Sequence, residues 1–135
     1  MTVQRQWSRE TELAAAASSA SHARAFVSGH LSAHELAHLV EDIALVVSEL
    51  ATNAMVHART PFIVVVGAFE NTVFVEVLDG SHTGPTLVVA SALETNGRGL
   101  MIVRALSRDW GVTARAAGGK SVWAEFDITS PVSPG

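Results

Sequence analysis

The sequence predicts an α+β two-layer sandwich: a mixed, mostly antiparallel sheet with its helices packed on one face. Three observations predict it. Apolar residues recur at three- and four-residue steps in three stretches. β-branched and aromatic runs fall into pairs, each joined by a short turn signal. The resulting order is strand, helix, helix, two strands, helix, two strands, and helices covering one face of such a sheet is the simplest two-layer solution.

Each element has its own signal. Residues 3–7 read as a short strand. From about Glu10, the segment ETELAAAASSASHARAFVSGHL is alanine-rich. Within it Leu13, Ala16, Ala20, Ala23, Val27 and Leu31 give a first helix a thin apolar stripe. Ser32 stands three residues before Glu35, the spacing of a capping box, and predicts the start of a second helix. That helix extends to about Ala58, because Pro61 bars further extension. Leu36, Leu39, Ile43, Val47, Leu50 and Ala54 form its buried face. PFIVVVGAF and NTVFVEVL then read as an antiparallel hairpin turning at Glu70-Asn71, the first strand apolar enough to be covered on both faces. Residues 80–96 form a long irregular connection, and connections of that length in small domains are usually functional lids or disordered. A third helix is expected from about Gly99 to Arg108. DWGVTARAA, a Gly118-Gly119 turn and KSVWAEFDI close the sheet.

Composition narrows the function. Of 135 residues 48% are hydrophobic and 16% charged, which is the balance of a globular chain. We expect one domain over residues 1–128 and a disordered tail, TSPVSPG, over 129–135. A formal charge of −4 without a basic stripe argues against direct nucleic-acid binding. No apolar run approaches the ~20 residues that span a bilayer. With no cysteine there are no disulfides or thiolate metal sites, which fits a cytoplasmic location. Lysine occurs once, at Lys120, against eight arginines, a bias read as compositional.

Chemistry enters through three elements. Glu49 and Asn53 lie about 40° apart on one edge of the second helix's buried face. The amide of Asn53 can offer oxygen to Mg²⁺, and Glu49 can accept a proton from a hydroxyl attacking a phosphate. Asp79 ends a strand, where a carboxylate can accept the exocyclic amino group of a base. Gly97-Arg98-Gly99 opens a helix whose free N–H groups suit a phosphate. Singly, each is ordinary.

Together and in order they resemble the boxes of the GHKL, or Bergerat-fold, ATPases. DIALVVSELATNAMVHA (42–58) resembles the N box, EVLDGS (76–81) and NGRGLMIV (96–103) the two glycine boxes, and GGKSVWAEF (118–126) the closing strand. The phrases SELATNA, GRGL and KSVWAEF are most similar to anti-sigma factor serine kinases of the RsbW type. That resemblance implies a catalytic base at Glu49, Mg²⁺ on Asn53 and adenine read by Asp79. It further implies ATP contacts from the loop around Ser81, from Gly97, Arg98, Gly99 and Leu100, and from a Ser121 hydroxyl facing the nucleotide. It also implies transfer of the ATP γ-phosphoryl group to a STAS-type anti-sigma factor antagonist, sequestration of a sigma factor, and a homodimer. One position departs from the pattern: Ser81 stands where the first box usually has glycine, so a non-catalytic ATP-binding module that sequesters a partner is the alternative.

HELAH (34–38) matches the H-E-x-x-H zinc-protease pattern. No third ligand follows at the usual spacing, and Glu35 is already explained as a capping residue, so coincidence is the better account.

Overall fold

The structure is a computed structural model that describes residues 6–80, 97–116 and 118–129. Ser81 and the rest of the connection to residue 96 lie outside the described residues, as do positions 3–5 of the expected first strand and residues 130–135 of the expected tail. The elements are β1 (Trp7–Leu13), α1 (Ser19–Ala33), a 3-10 turn (Ala37–Leu39), α2 (Val40–Asn53), a π turn (Ala54–Ala58), β2 (Phe62–Phe69), β3 (Thr72–Asp79), α3 (Gly97–Leu106), β4 (Asp109–Ala114) and β5 (Lys120–Asp127). Strands pair in the order β1-β2-β3-β5-β4. Every pairing among the described residues is antiparallel.

Glu10–Leu13, expected to open the first helix, instead belong to β1, which pairs along β2 from Trp7↔Ala68 to Leu13↔Phe62. Local alanine content favours helix only beyond Leu13, and the ladder with β2 overrides the weak periodicity before it. Charged Arg9, Glu10 and Glu12 on this edge strand discourage pairing with other chains.

The capping-box reading of Ser32 and Glu35 also fails. Ser32 lies inside α1, and Glu35 takes a left-handed conformation (φ 63°) just past its end. Leu36 N donates to Leu31 O at 2.8 Å and Glu35 N to Ser32 O at 3.2 Å, the paired bonds of a Schellman stop. Buried Leu31 and Leu36 supply the apolar contact that accompanies such a stop. The chain therefore turns before α2 rather than running into it.

Val27 and Leu31 of α1 and Ile43, Val46, Val47 and Leu50 of α2 pack on the sheet. They meet Phe62, Val64 and Val66 of β2, Val73, Val75 and Val77 of β3, and Val122, Ala124 and Phe126 of β5. Each fully buried valine side chain contributes about 1.5–3 kcal/mol. The expectation that β2 is covered on both faces is corrected: Ile63 and Val65 are half-exposed and Phe69 exposed, and no helix among the described residues covers the other side. On that open side the Trp123 ring lies over Gly111, where an added Cβ would fall 2.6 Å from Cζ2. Among the described residues no helix is long and apolar enough to cross a membrane.

Candidate functional site

The topology delivers three elements to one end of the sheet. α2 ends at Asn53, and the π turn leads through Arg59 (φ 57°) and Thr60 into β2. β3 returns antiparallel, so its last residue, Asp79, sits opposite Phe62 at the start of β2. β5 begins at the same end, with Lys120 opposite Asp79. Gly80 N donates to Thr60 Oγ1 at 3.4 Å, joining the strand end to the segment after the π turn. The C-terminal end of α3 is held at the far end of the sheet, where Arg108 N donates to Glu125 O at 2.8 Å. The helix packs along α2 and β4.

Strand alternation decides which side chains face the helices. Asp79 continues the series Val73, Val75, Val77, and Lys120 begins the series Val122, Ala124, Phe126. Both are buried, each with only 2% of its surface exposed. Lys120 Nζ donates to Asp79 Oδ2 at 2.7 Å. The Gly118-Gly119 turn makes this approach possible. Gly119 has φ 87°, and a Cβ there would lie 2.0 Å from the Asp79 carbonyl oxygen.

Asn53 is buried in the last turn of α2, and Glu49, one turn earlier, is half-buried. Asn53 makes no side-chain hydrogen bond with a described residue, yet no buried side-chain nitrogen or oxygen among the described residues lacks a partner. An amide oxygen and a carboxylate one helical turn apart are hard oxygen donors, the class that Mg²⁺ takes. Thr52 Oγ1 donates back to Ser48 O at 2.8 Å, a bond that bends helices, just before the π turn. Single π turns recur at functional sites, and this one keeps the end of α2 beside β3. The sequence pattern reads straight through it, since residues 54–58 look like continued helix.

The structure bears on the place of two groups of candidate residues. α3 begins at Gly97, two residues before the expected start, so Gly97, Arg98, Gly99 and Leu100 form its first turn. Glycine is tolerated there because the first N–H groups of a helix have no intrahelical partner in any case. Ser121 does not share a face of the sheet with Asp79. It lies on the opposite face from Asp79 and Lys120, and its Oγ donates to Glu76 Oε2 at 2.6 Å. The residue at the start of β5 that does face Asp79 is Lys120, which composition alone set aside. Two-residue alternation counted back from Val122 and Phe126 would have found it.

The HELAH pattern is not a zinc site. His34 and Glu35 lie in the turn after α1, so the two histidines are not one helical turn apart on a single helix. His34 Nδ1 hydrogen-bonds His30 O at 2.8 Å while its ring stacks on Trp7 (centroids 3.7 Å apart), and His38 Nε2 hydrogen-bonds Ile128 O at 2.8 Å. Burial holds the neighbouring His30 imidazole below its ordinary pKa, and Arg9 and His34 act in the same direction.

Helices on one face of an antiparallel sheet and an acid–amide pair at the end of α2 agree with what comparison finds. So does the buried aspartate ending β3. The family model of the histidine kinase-like ATPase domain matches residues 13–126, which takes in every element from the end of β1 to β5. No curated protein matches the chain. With most of its length aligned to that model, the chain belongs to the histidine kinase-like ATPase family, within the GHKL superfamily.

Proposed function

We propose that this chain is a cytoplasmic, homodimeric anti-sigma factor with serine/threonine kinase activity. It binds Mg·ATP at the Asp79 end of the sheet and transfers the γ-phosphoryl group to a STAS-type antagonist, releasing a sigma factor or holding it according to the antagonist's phosphorylation. The observation that carries this reading is the convergence of the α2 end, with Glu49 and Asn53, on the sheet end that bears buried Asp79. Asp79 accepts the adenine amino group. Asn53 holds Mg²⁺, which when bound neutralises charge on the phosphate oxygens. Glu49 takes the proton of the attacking hydroxyl as the new P–O bond forms and ADP leaves. Little covalent work falls to the protein, because positioning and charge neutralisation dominate phosphoryl transfer.

Two variants test this. Asn53→Ala is expected to abolish Mg·ATP binding measured by calorimetry. Glu49→Ala is expected to bind Mg·ATP and lose on the order of 10²–10⁴-fold in phosphotransfer to the antagonist. Undiminished kinase activity in both would overturn the assignment. The non-catalytic module is favoured by Ser81 alone. Bound ATP without any phosphorylated antagonist is the result that selects it.

A further inference from the structure

The carboxylate assigned to reading the base is already engaged. Lys120 Nζ sits 2.7 Å from Asp79 Oδ2, and both side chains are almost wholly buried, at 3% and 1% exposure. The adenine amino group is a neutral donor and cannot replace an ammonium: displacing Lys120 would leave a buried charge without its partner, which costs far more than one neutral hydrogen bond returns. A ligand that reaches Asp79 must therefore accommodate Lys120 as well. The ammonium has three N–H groups and spends one on Asp79, leaving two for an acceptor. On adenine, the ring nitrogen N1 adjoins the exocyclic amino group and is such an acceptor. The hydroxyl expected to help at the start of β5, Ser121, faces the other side of the sheet, so Lys120 holds that place.

We propose that Lys120 is a second base-reading residue. It stays paired with Asp79 and donates a hydrogen bond to the ring nitrogen beside the amino group, so the pair presents an acceptor and a donor to the matching edge of the base. This rests on the ATP-binding reading above and adds a residue to it.

The test compares ATP with 1-deaza-ATP, in which N1 is replaced by CH while the amino group remains. Calorimetry with Mg²⁺ is run on the full chain, on Lys120→Met and on the neutral pair Asp79→Asn/Lys120→Met, which guards against a single variant that fails to fold. The unaltered chain is expected to bind 1-deaza-ATP about tenfold or more weaker than ATP, because the analogue leaves one buried N–H of the ammonium without an acceptor. Lys120→Met is expected to bind ATP more weakly and to lose that discrimination, as is the neutral pair. Equal affinity of the unaltered chain for the two nucleotides overturns the proposal. So does a discrimination that survives Lys120→Met, or tighter ATP binding in Lys120→Met, which would make Lys120 a plug. Failure of the unaltered chain to bind either nucleotide overturns the ATP reading itself, and so separates that failure from this one.

Discussion

The two ends of β5 carry the same kind of chemistry in opposite surroundings. At its start, Lys120 meets Asp79 with both side chains shut away from water. At its end, Arg108 reaches Glu125 and Asp127 and also donates to Thr72 Oγ1, with the Arg108 side chain 41% exposed. Hydrogen bonding to Asp127, opposed by burial and aided by Glu125, raises the Arg108 pKa further above its already high ordinary value. An exposed cluster of this kind fastens the start of β4 to its neighbours at little cost, because water solvates each charge when the others leave. The pair at the start is different. Both members are shut away from water, so the pair is a poor device for stability and a good one for presenting a fixed donor and acceptor.

The largest expected effect tests that asymmetry directly. Lys120→Met leaves the Asp79 charge buried without its counter-ion and is expected to cost about 3–5 kcal/mol, a drop in Tm of roughly 10 °C or more by thermal melting. Asp79→Asn/Lys120→Met removes both charges and is expected to recover most of that loss. If the single variant melts within about 2 °C of the unaltered chain, the two ends of β5 do not differ as claimed.

The same division explains what could be read from the sequence. The hairpin at Glu70-Asn71, the Gly118-Gly119 turn and the alternation of β5 are local signals, and the structure has them where the residues put them. Glu49, Asn53 and Asp79 were legible because their order along the chain matches a known set of boxes. Three features were missed, the first two because tertiary contacts decide them and the third because the alternation of β5 was not counted back to its first residue. β1 extends into a stretch with helical periodicity because β2 offers it a ladder. Glu35 stops a helix from a left-handed conformation that glycine would normally fill. Ser121 and Lys120 differ by one residue, and a one-residue difference on a strand exchanges faces of the sheet. Ser121→Ala is accordingly expected to leave ATP affinity unchanged in calorimetry while costing about 1 kcal/mol of stability from the lost bond to Glu76. A large loss of ATP binding in that variant would put the nucleotide on the open face.

The smallest effect is expected at the exposed end, and salt sharpens it. Arg108→Gln removes the cation that joins Glu125 and Asp127, yet both carboxylates keep access to water, at 30% and 49% side-chain exposure. The expected cost is at most about 1 kcal/mol, a few degrees in Tm. In 1 M NaCl screening shortens to about 3 Å, so the difference between Arg108→Gln and the unaltered chain should shrink further. The penalty of Lys120→Met should not shrink with it, because salt does not enter a buried pair. Melting both variants across a salt series therefore reads burial rather than charge. If the Arg108 penalty matches that of Lys120, or if salt erases both alike, desolvation is not what sets the two ends of β5 apart, and the case for a fixed donor beside Asp79 loses its physical basis.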